Sequence, residues 1–463
     1  MSGEQITSSD IDDSSESMMD ALMEVFRVAL PLMISAGTFS LVLFADRTLL
    51  LYYDGPSMSA SMAGGALFWV VSCLPVGIVS MTGAIVGQHI GAGEQDRIGR
   101  LMWQAVWLAI AFIPWFAFIA FNAESLFRAT GQPESLIGLE STYLSILMIG
   151  AVGLVVESAL SGFFSGTEKT AVIMWISVAS GVLNLFLDLL LIFGYGPIPA
   201  LGITGAAIAS VISFWFKAVV FATLLLWFQR ESLYKLRGGF GFDRRVFGNL
   251  LFFGFPTGLM YLIESGGFTV ILLRIGNLGD VPLRATTMAI NFNMIAFIPL
   301  MGVSIAASVL VGKHLLGSGP SRAAKSAYAA LGIGLIYSFT WLVAYLAIPD
   351  VMLSLYEATQ TTPETREAIA LARDLLKFVA IYVVLDAAQI IFAGSLRGAG
   401  DTWFVMVGGF AASVLPLIVG FTWEPTGDFL HWWWYMIIFW IWLLAAMLAA
   451  RFVQGGWKKM RMV

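Results

Sequence analysis

Seven ionisable residues lie inside long apolar runs: the carboxylates Asp46, Glu157, Asp188, Glu264 and Asp386, and the cations Arg47 and Lys217. An ionisable group at that position in a membrane-spanning segment costs several kcal/mol unless it finds a partner or water, so such residues mark sites of ion or proton handling. Their neighbours suit that use. Tyr382 and Gln389 stand at i−4 and i+3 from Asp386, on one helical face, and Asn184 stands at i−4 from Asp188. A desolvated or paired carboxylate in such a set can take a proton near neutral pH, and carboxylate, amide and carbonyl oxygens can ligate sodium. Arg47 follows Asp46 directly and therefore points elsewhere on its helix, which predicts snorkelling toward the interface instead of pairing with Asp46. Glu157 and Lys217 have no partner evident in the sequence, and solvation in a lumen or a structural role is expected for both.

The elements that carry these residues are membrane helices. The chain has 463 residues, 59% hydrophobic and 12% charged, with a mean hydropathy of +0.84. That composition excludes a soluble globular protein. Twelve continuous apolar runs between residues 25 and 453 are each long enough to cross a hydrocarbon core of about 30 Å. Their lack of alternation argues against a β-barrel. Basic residues concentrate in alternate connections, among them Arg97, Arg100, Lys169, Arg244, Arg245, Lys313, Arg322, Lys325 and Arg397, which predicts that both termini are cytoplasmic. On this topology Asp386 and Glu264 each lie roughly 14 Å from the outer surface, at 1.5 Å of rise per residue, and can meet. Asp46 and Asp188, nearer the outer interface, can form a second pair.

The chain is built twice. VGQHIGAGEQDR at 86–97 resembles VGKHLLGSGPSR at 311–322, with an offset of 312 − 87 = 225 that Pro31 and Pro256 share. GFFSGTEKT at 162–170 resembles GSLRGAGDT at 394–402, with an offset of 394 − 162 = 232. The expected organisation is a disordered cytoplasmic tail at 1–22, an N-lobe at 23–230, a charged cytoplasmic linker at 231–246, a C-lobe at 247–455 and a short cytoplasmic tail at 456–463. An even number of spans between equivalent points gives both lobes the same orientation, about a pseudo-two-fold axis along the membrane normal.

Several other features have ordinary readings. The glycine-rich turns GAGEQDR and RGAGDT suit helix C-caps, and His89 and His314 suit helix ends where the dipole favours them. No GxxxxGK[ST] phosphate loop occurs. Cys73 is the only cysteine, so no disulfide framework is possible. Residues 1–20 are acidic and Ser-rich without the pattern of a cleaved signal. HWWWY at 431–435 reads as an aromatic belt at the outer interface.

With these residues placed, the chain resembles the multidrug and toxic compound extrusion (MATE) transporters, members of a wider flippase superfamily. The likeness spans essentially the whole chain: FADRTLLLYYDG in the first span, VGQHIGAGE after the second, NLFLDLLLIFG and PALGITGAAIAS across the fifth and sixth, and VLDAAQIIFAGSLRGAGDT at the tenth. It resembles most the bacterial branch with acidic residues in both lobes.

The resemblance implies an all-α, twelve-helix, two-lobed fold and cation-driven efflux of organic, often cationic, compounds by alternating access. It also implies an N-lobe cation or proton site at Asp46, Asn184 and Asp188. Glu264, within FPTGLMYLIESGGF, and Asp386 match acids of the sodium-linked branch, with Tyr382 and Gln389 beside Asp386, so sodium at Glu264 and Asp386 is an alternative to protons there. No prosthetic cofactor is expected. The expected partners are small organic substrates and the lipid bilayer of the plasma (inner) membrane, without nucleic acid, one chain sufficing for function. A lipid-linked oligosaccharide flippase is the alternative, although it calls for a basic central cavity and the spans are mainly acidic. An intramembrane enzyme is a further alternative, but neither GxSxG nor HExxH occurs.

Overall fold

A computed structural model of the chain describes residues 17–129, 133–228, 231–357, 363–425, 427 and 429–463. Twelve helices in it are long and apolar enough to cross a membrane. In chain order they are α1 (Met18–Tyr53), α2 (Gly55–Gly91), α3 (Gln95–Phe121), α4 (Glu134–Gly166), α5 (Thr170–Phe193), α6 (Ile203–Trp227), α7 (Arg244–Gly276), α8 (Asp280–Gly317), α9 (Pro320–Ala347), α10 (Pro363–Ala399), α11 (Thr402–Thr422) and α12 (Phe429–Gln454). Most of the acidic N-terminal tail lies outside the described residues. Its end is helical: Ser17 and Asp20 form a capping box that starts α1.

The helix packing repeats between the halves. α1 packs on α5, α2 on α4, and α4 on α6; equivalently, α7 packs on α11, α8 on α10, and α10 on α12. Between the halves α1 packs on α8 and α2 on α7, which is again one contact related to the other by the duplication. The paired turns show the same relation in detail. Lys169 donates its backbone N–H to the Phe164 carbonyl at 2.7 Å, and Asp401 donates to Leu396 at 2.9 Å, each a 6→1 Schellman bond. Glu168 and Gly400 hold the same place in the two turns, both with positive φ, at 60° and 103°. The glycine-rich stretches are therefore helix caps.

We call the end of the bundle that carries these turns the basic end. All the inter-lobe hydrogen bonds and ion pairs named here lie there. Glu24 of α1 receives His314 Nε2 at 3.1 Å, Arg322 Nη2 at 2.5 Å and Lys313 Nζ at 3.5 Å, and Lys313 also pairs with Glu168. Gln88 of α2 donates to the Gly398 carbonyl at 3.0 Å and accepts the Met462 N–H at 2.8 Å. Beyond α12 the chain folds back: Trp457 is buried in the C-lobe core, and Met462 is buried against the N-lobe core. Further into the membrane the lobes touch through backbone. A Cβ on Gly258 of α7 would lie 2.3 Å from the Leu74 carbonyl oxygen, and one on Gly77 of α2 would lie 2.3 Å from Gly258 Cα. Two glycines thus set the α2–α7 distance.

Two expectations are corrected. Glu157 and Lys217 do have partners, because they are each other's: Lys217 Nζ lies 3.2 Å from Glu157 Oε2 across the α4–α6 contact, with both side chains mostly buried, and the ammonium also sits over the Phe214 ring. Charges on separate helices meet only once rotational phase is fixed, which no single helix reveals. The HWWWY cluster is not simply a belt either. Trp433 and Trp434 are fully buried; Trp433 Nε1 donates to Glu424 at 2.9 Å, and Trp434 Nε1 donates to Thr286 Oγ1 at 3.3 Å. Paired indole N–H groups let those rings serve as core. Glu424, in the loop before α12, also holds Arg274 at 2.6 Å, and that bond sets its carboxyl below the usual carboxylate range.

Gly258→Val is expected to hold α2 and α7 apart and loosen the basic end, read as faster maleimide labelling of a cysteine placed at buried Met462. Unchanged labelling would show that the contact does not hold the lobes. For the buried pair, Lys217→Met should lower the stability of detergent-solubilised protein by about 3–5 kcal/mol, because it strands Glu157, and combining it with Glu157→Leu should recover most of the loss. Equal unfolding temperatures for the single and double variants would contradict the pairing.

Candidate functional site

The N-lobe site arises where α1 and α5 pack through small residues. Ser35 and Ser177 hydrogen-bond at 2.6 Å, and Gly181 lies against Thr38 and Val42. Continuing that ladder by one helical turn on each side brings Asp46 opposite Asn184 and Asp188. All three are buried, with 5%, 2% and 0% of their surface exposed. With its amide nitrogen turned toward the carboxylates, Asn184 donates to Asp46 Oδ1 at 3.0 Å and to Asp188 Oδ2 at 3.2 Å. The two carboxyl groups also lie within each other's field. Two buried like charges within each other's field favour taking up a proton or a cation. The second oxygen of Asp188, Oδ1, is buried without a partner.

Two further groups complete this environment. Tyr143 of α4 is buried within electrostatic range of both Asp46 and Asp188, and nothing in its sequence surroundings drew attention to it. Arg47 is partly buried and makes no ion pair with Asp46 among the described residues, yet it remains in the field of that carboxyl.

In the C-lobe, Asp386 and Gln389 share the α10 face predicted for them: Gln389 Nε2 donates to Asp386 Oδ1 at 3.0 Å, and both are buried. Tyr382, on the same face, is buried within the field of Asp386. Tyr345 of α9, which the sequence reading missed, is buried beside them and donates to the Phe292 carbonyl at 3.1 Å. Glu264 of α7 comes into electrostatic range of Asp386 without a direct hydrogen bond between them among the described residues. The matched depths therefore bring the two acids near one another but not into a bonded pair.

Glu264 instead faces a cavity of about 100 Å³ between the lobes. Ser80 of α2 lines it on one side; Thr257, Tyr261, Glu264, Gln389 and Arg397 line it on the other. Arg397 corrects another expectation, since it was counted among the loop cations. It occupies the last turn of α10, stacks over the Tyr261 ring with its guanidinium carbon 5.3 Å from the centroid, and has a buried Nε without a hydrogen-bond partner. The cavity thus has both an acid and a permanent cation on its wall. Among the described residues no group of three or more His, Cys, Asp and Glu converges as a metal cluster would. His89 and His314 sit at the basic end, paired with Glu94 and Glu24.

This arrangement matches known proteins along most of its length. The MatE family profile matches residues 31–190 and 256–422. A probable multidrug resistance protein NorM of Burkholderia mallei is 30% identical over 405 residues, covering 87% of this chain and 84% of that protein. Multidrug resistance protein PmpM of Pseudomonas aeruginosa is 30% identical over 421 residues, covering 88% and 86%. Among solved structures, the eukaryotic MATE transporter AtDTX14 superposes with a TM-score of 0.85 at 18% identity, over 96% of this chain and 98% of that one. An outward-facing multidrug resistance MATE transporter of the MOP superfamily gives 0.83 at 20% identity, over 99% and 100%. The duplicated twelve-helix fold and the family match, which takes in Asp46, Asp188, Glu264 and Asp386, lead to one conclusion: the chain belongs to the MatE family of multi-pass membrane transporters, which are not enzymes.

Proposed function

We propose that this protein is a secondary antiporter that exports small organic compounds, cationic or amphipathic, in exchange for an inward flow of cations across the inner membrane. The observation that carries the reading is the Asp46–Asn184–Asp188 cluster, where one amide donates to two buried carboxyls that lie within each other's field. With both ionised, the cluster holds two like charges in a medium of low dielectric, a state favoured only if the helices move or a cation enters. Cation occupancy and helix arrangement are coupled on this reading. A cation drives transport only through unequal affinity for two conformations, and an acid pair between α1 and α5 can supply that inequality.

The topology supports the same reading. The basic end, with Arg97, Lys169, Arg244, Lys313 and Arg322, suits the cytoplasmic side under the positive-inside rule, and puts both ends of the described chain there. The lobes bond to each other at that end, which fits a form closed to the cytoplasm. The cavity offers the Glu264 carboxylate and the pliable Met301 thioether to an amphipathic organic compound, with the Tyr261 ring covered by the Arg397 guanidinium. The names of the NorM and PmpM relatives point to multidrug substrates. One chain holds both acid sets, so a monomer suffices.

Reconstitution into liposomes with imposed proton or sodium gradients tests the proposal. Wild-type protein should expel an organic cation when a proton gradient is applied, and Asp46→Asn should slow it by about tenfold or more, the loss expected when a group acting in only one conformation is removed. Asp386→Asn should reduce export while leaving substrate-induced proton release measurable, because the N-lobe cluster is intact. Export by wild-type protein that survives collapse of both gradients would refute antiport.

A further inference from the structure

The cavity between the lobes carries a charge that the surrounding protein does not answer. Arg397 lines it, forms no ion pair with a carboxylate among the described residues, and has a buried Nε without a hydrogen-bond partner. A buried donor on a charged group is more costly to leave unpaired than a neutral one. The helix dipole favours a cation in the last turn of α10, but a side chain reaching toward water would serve that purpose. Arg397 lies instead over the ring of Tyr261, another wall residue, with its guanidinium carbon 5.3 Å from the centroid. Stacking uses the charge and leaves the N–H donors unspent.

The backbone that carries Arg397 is fixed on both sides. A Cβ on Gly394 would collide with Ser304 of α8, and one on Gly398 would collide with the Ser308 carbonyl, so the last turns of α10 lie directly on α8. A second unspent group faces the same space. Thr257 of α7 lines the cavity, is 2% exposed, and has a buried Oγ1 with no hydrogen-bond partner. A helical threonine ordinarily donates to a carbonyl in the preceding turn, as Thr38, Thr48 and Thr269 do in this protein. Thr257 does not, and it stands at i−4 from Tyr261 on one face of α7. Two unpaired donors on two helices, one of them permanently charged, therefore share a cavity of about 100 Å³. A single water needs only about 10–15 Å³ by this measure, so there is room for a larger polar group.

Resting on the export reading above, we propose that this part of the cavity is an anion subsite that takes the carboxylate of an amphipathic organic compound, with Arg397 as counter-ion and Thr257 as second donor. A guanidinium matches a carboxylate in charge and in the spacing of its donors, and a hydroxyl can donate to either carboxylate oxygen. Glu264 lies on the same cavity wall but seven residues beyond Thr257, roughly 10 Å further along α7 from the basic end. The acid therefore repels the bound carboxylate from a distance and leaves the Arg397 end as its place. Met301, Ile305 and Ile390 line the cavity as well and give the apolar body of the compound a surface to cover. Arg397 is then a specificity-determining residue, and compounds that carry a negative charge fall within the range of this transporter.

The test titrates purified full-length protein in nanodiscs with naphthylacetate and with naphthylacetamide, its uncharged counterpart of nearly the same shape, and reads binding by equilibrium dialysis. Wild type should bind the carboxylate about tenfold more tightly than the amide, the margin of a charge-assisted hydrogen bond. Arg397→Gln should abolish that preference and leave amide affinity and unfolding temperature unchanged. Arg397→Lys should keep part of it, and Thr257→Val should weaken carboxylate binding severalfold. Equal affinity of wild type for the two probes would overturn the proposal, as would a preference that persists in Arg397→Gln. A loss of affinity for both probes in Arg397→Gln, together with a lower unfolding temperature, would mark a packing role and overturn it too. Should that variant not fold, an undiminished preference in both Arg397→Lys and Thr257→Val has the same force. Binding needs no gradient, which separates this proposal from antiport. A carboxylate preference that depends on Arg397, in a protein that exports organic cations without either gradient, upholds the subsite and refutes antiport; gradient-driven export without the preference does the reverse.

Discussion

A carboxylate removed from water inside a bilayer must find a partner, a proton or a cation, and this protein is arranged around that requirement. At Asp46 and Asp188 the requirement is met with unusual economy. One amide, Asn184, donates to both. That arrangement holds only while α1 and α5 keep their present spacing, which the Ser35–Ser177 bond and the small residue Gly181 allow. A change of charge at the pair alters the repulsion between α1 and α5, so on the proposed antiport reading chemistry at the site and spacing of the helices are linked.

The lobes meet through contacts of two kinds. Lobe contacts at the basic end are polar and specific, as in the Glu24 cluster and the Gln88 bridge, whereas those deeper in are close backbone approaches at Gly77 and Gly258. Polar contacts at the water-exposed end can exchange for water at modest cost, so the seal is reversible. The segment after α12 joins both cores, with Trp457 in one and Met462 against the other.

Much of this was legible in the sequence because its governing signals are local. Continuous apolar runs give twelve helices, and paired motifs at offsets of 225 and 232 give the duplication that the Schellman bonds at Lys169 and Asp401 then display. The i, i+3 and i, i+4 sets around Asp386 and Asp188 were likewise readable, since one helix fixes their geometry. What escaped depends on the rotation of one helix against another. Glu157 and Lys217 looked unpaired because 60 residues separate them, Arg397 looked like a loop cation because it closes a helix, and Trp433 and Trp434 looked interfacial because belts and buried indoles have the same composition. Tyr143 carried no signal beyond being polar near the end of an apolar run.

Duplication gave both lobes the same helices but not the same chemistry. In the N-lobe the acids are closed upon each other, with no wall of the inter-lobe cavity among them; in the C-lobe Asp386 is held by Gln389 while Glu264 and Arg397 face that cavity. A group buried in a closed cluster responds to protons, which travel along hydrogen bonds, more readily than to bulky ligands. A group on a cavity wall meets whatever occupies the cavity. On the proposed antiport reading, the asymmetry suits a division of labour in which the N-lobe carries the driving ion and the C-lobe senses the cargo. The contacts α1–α8 and α2–α7, related by the duplication, join the two lobes.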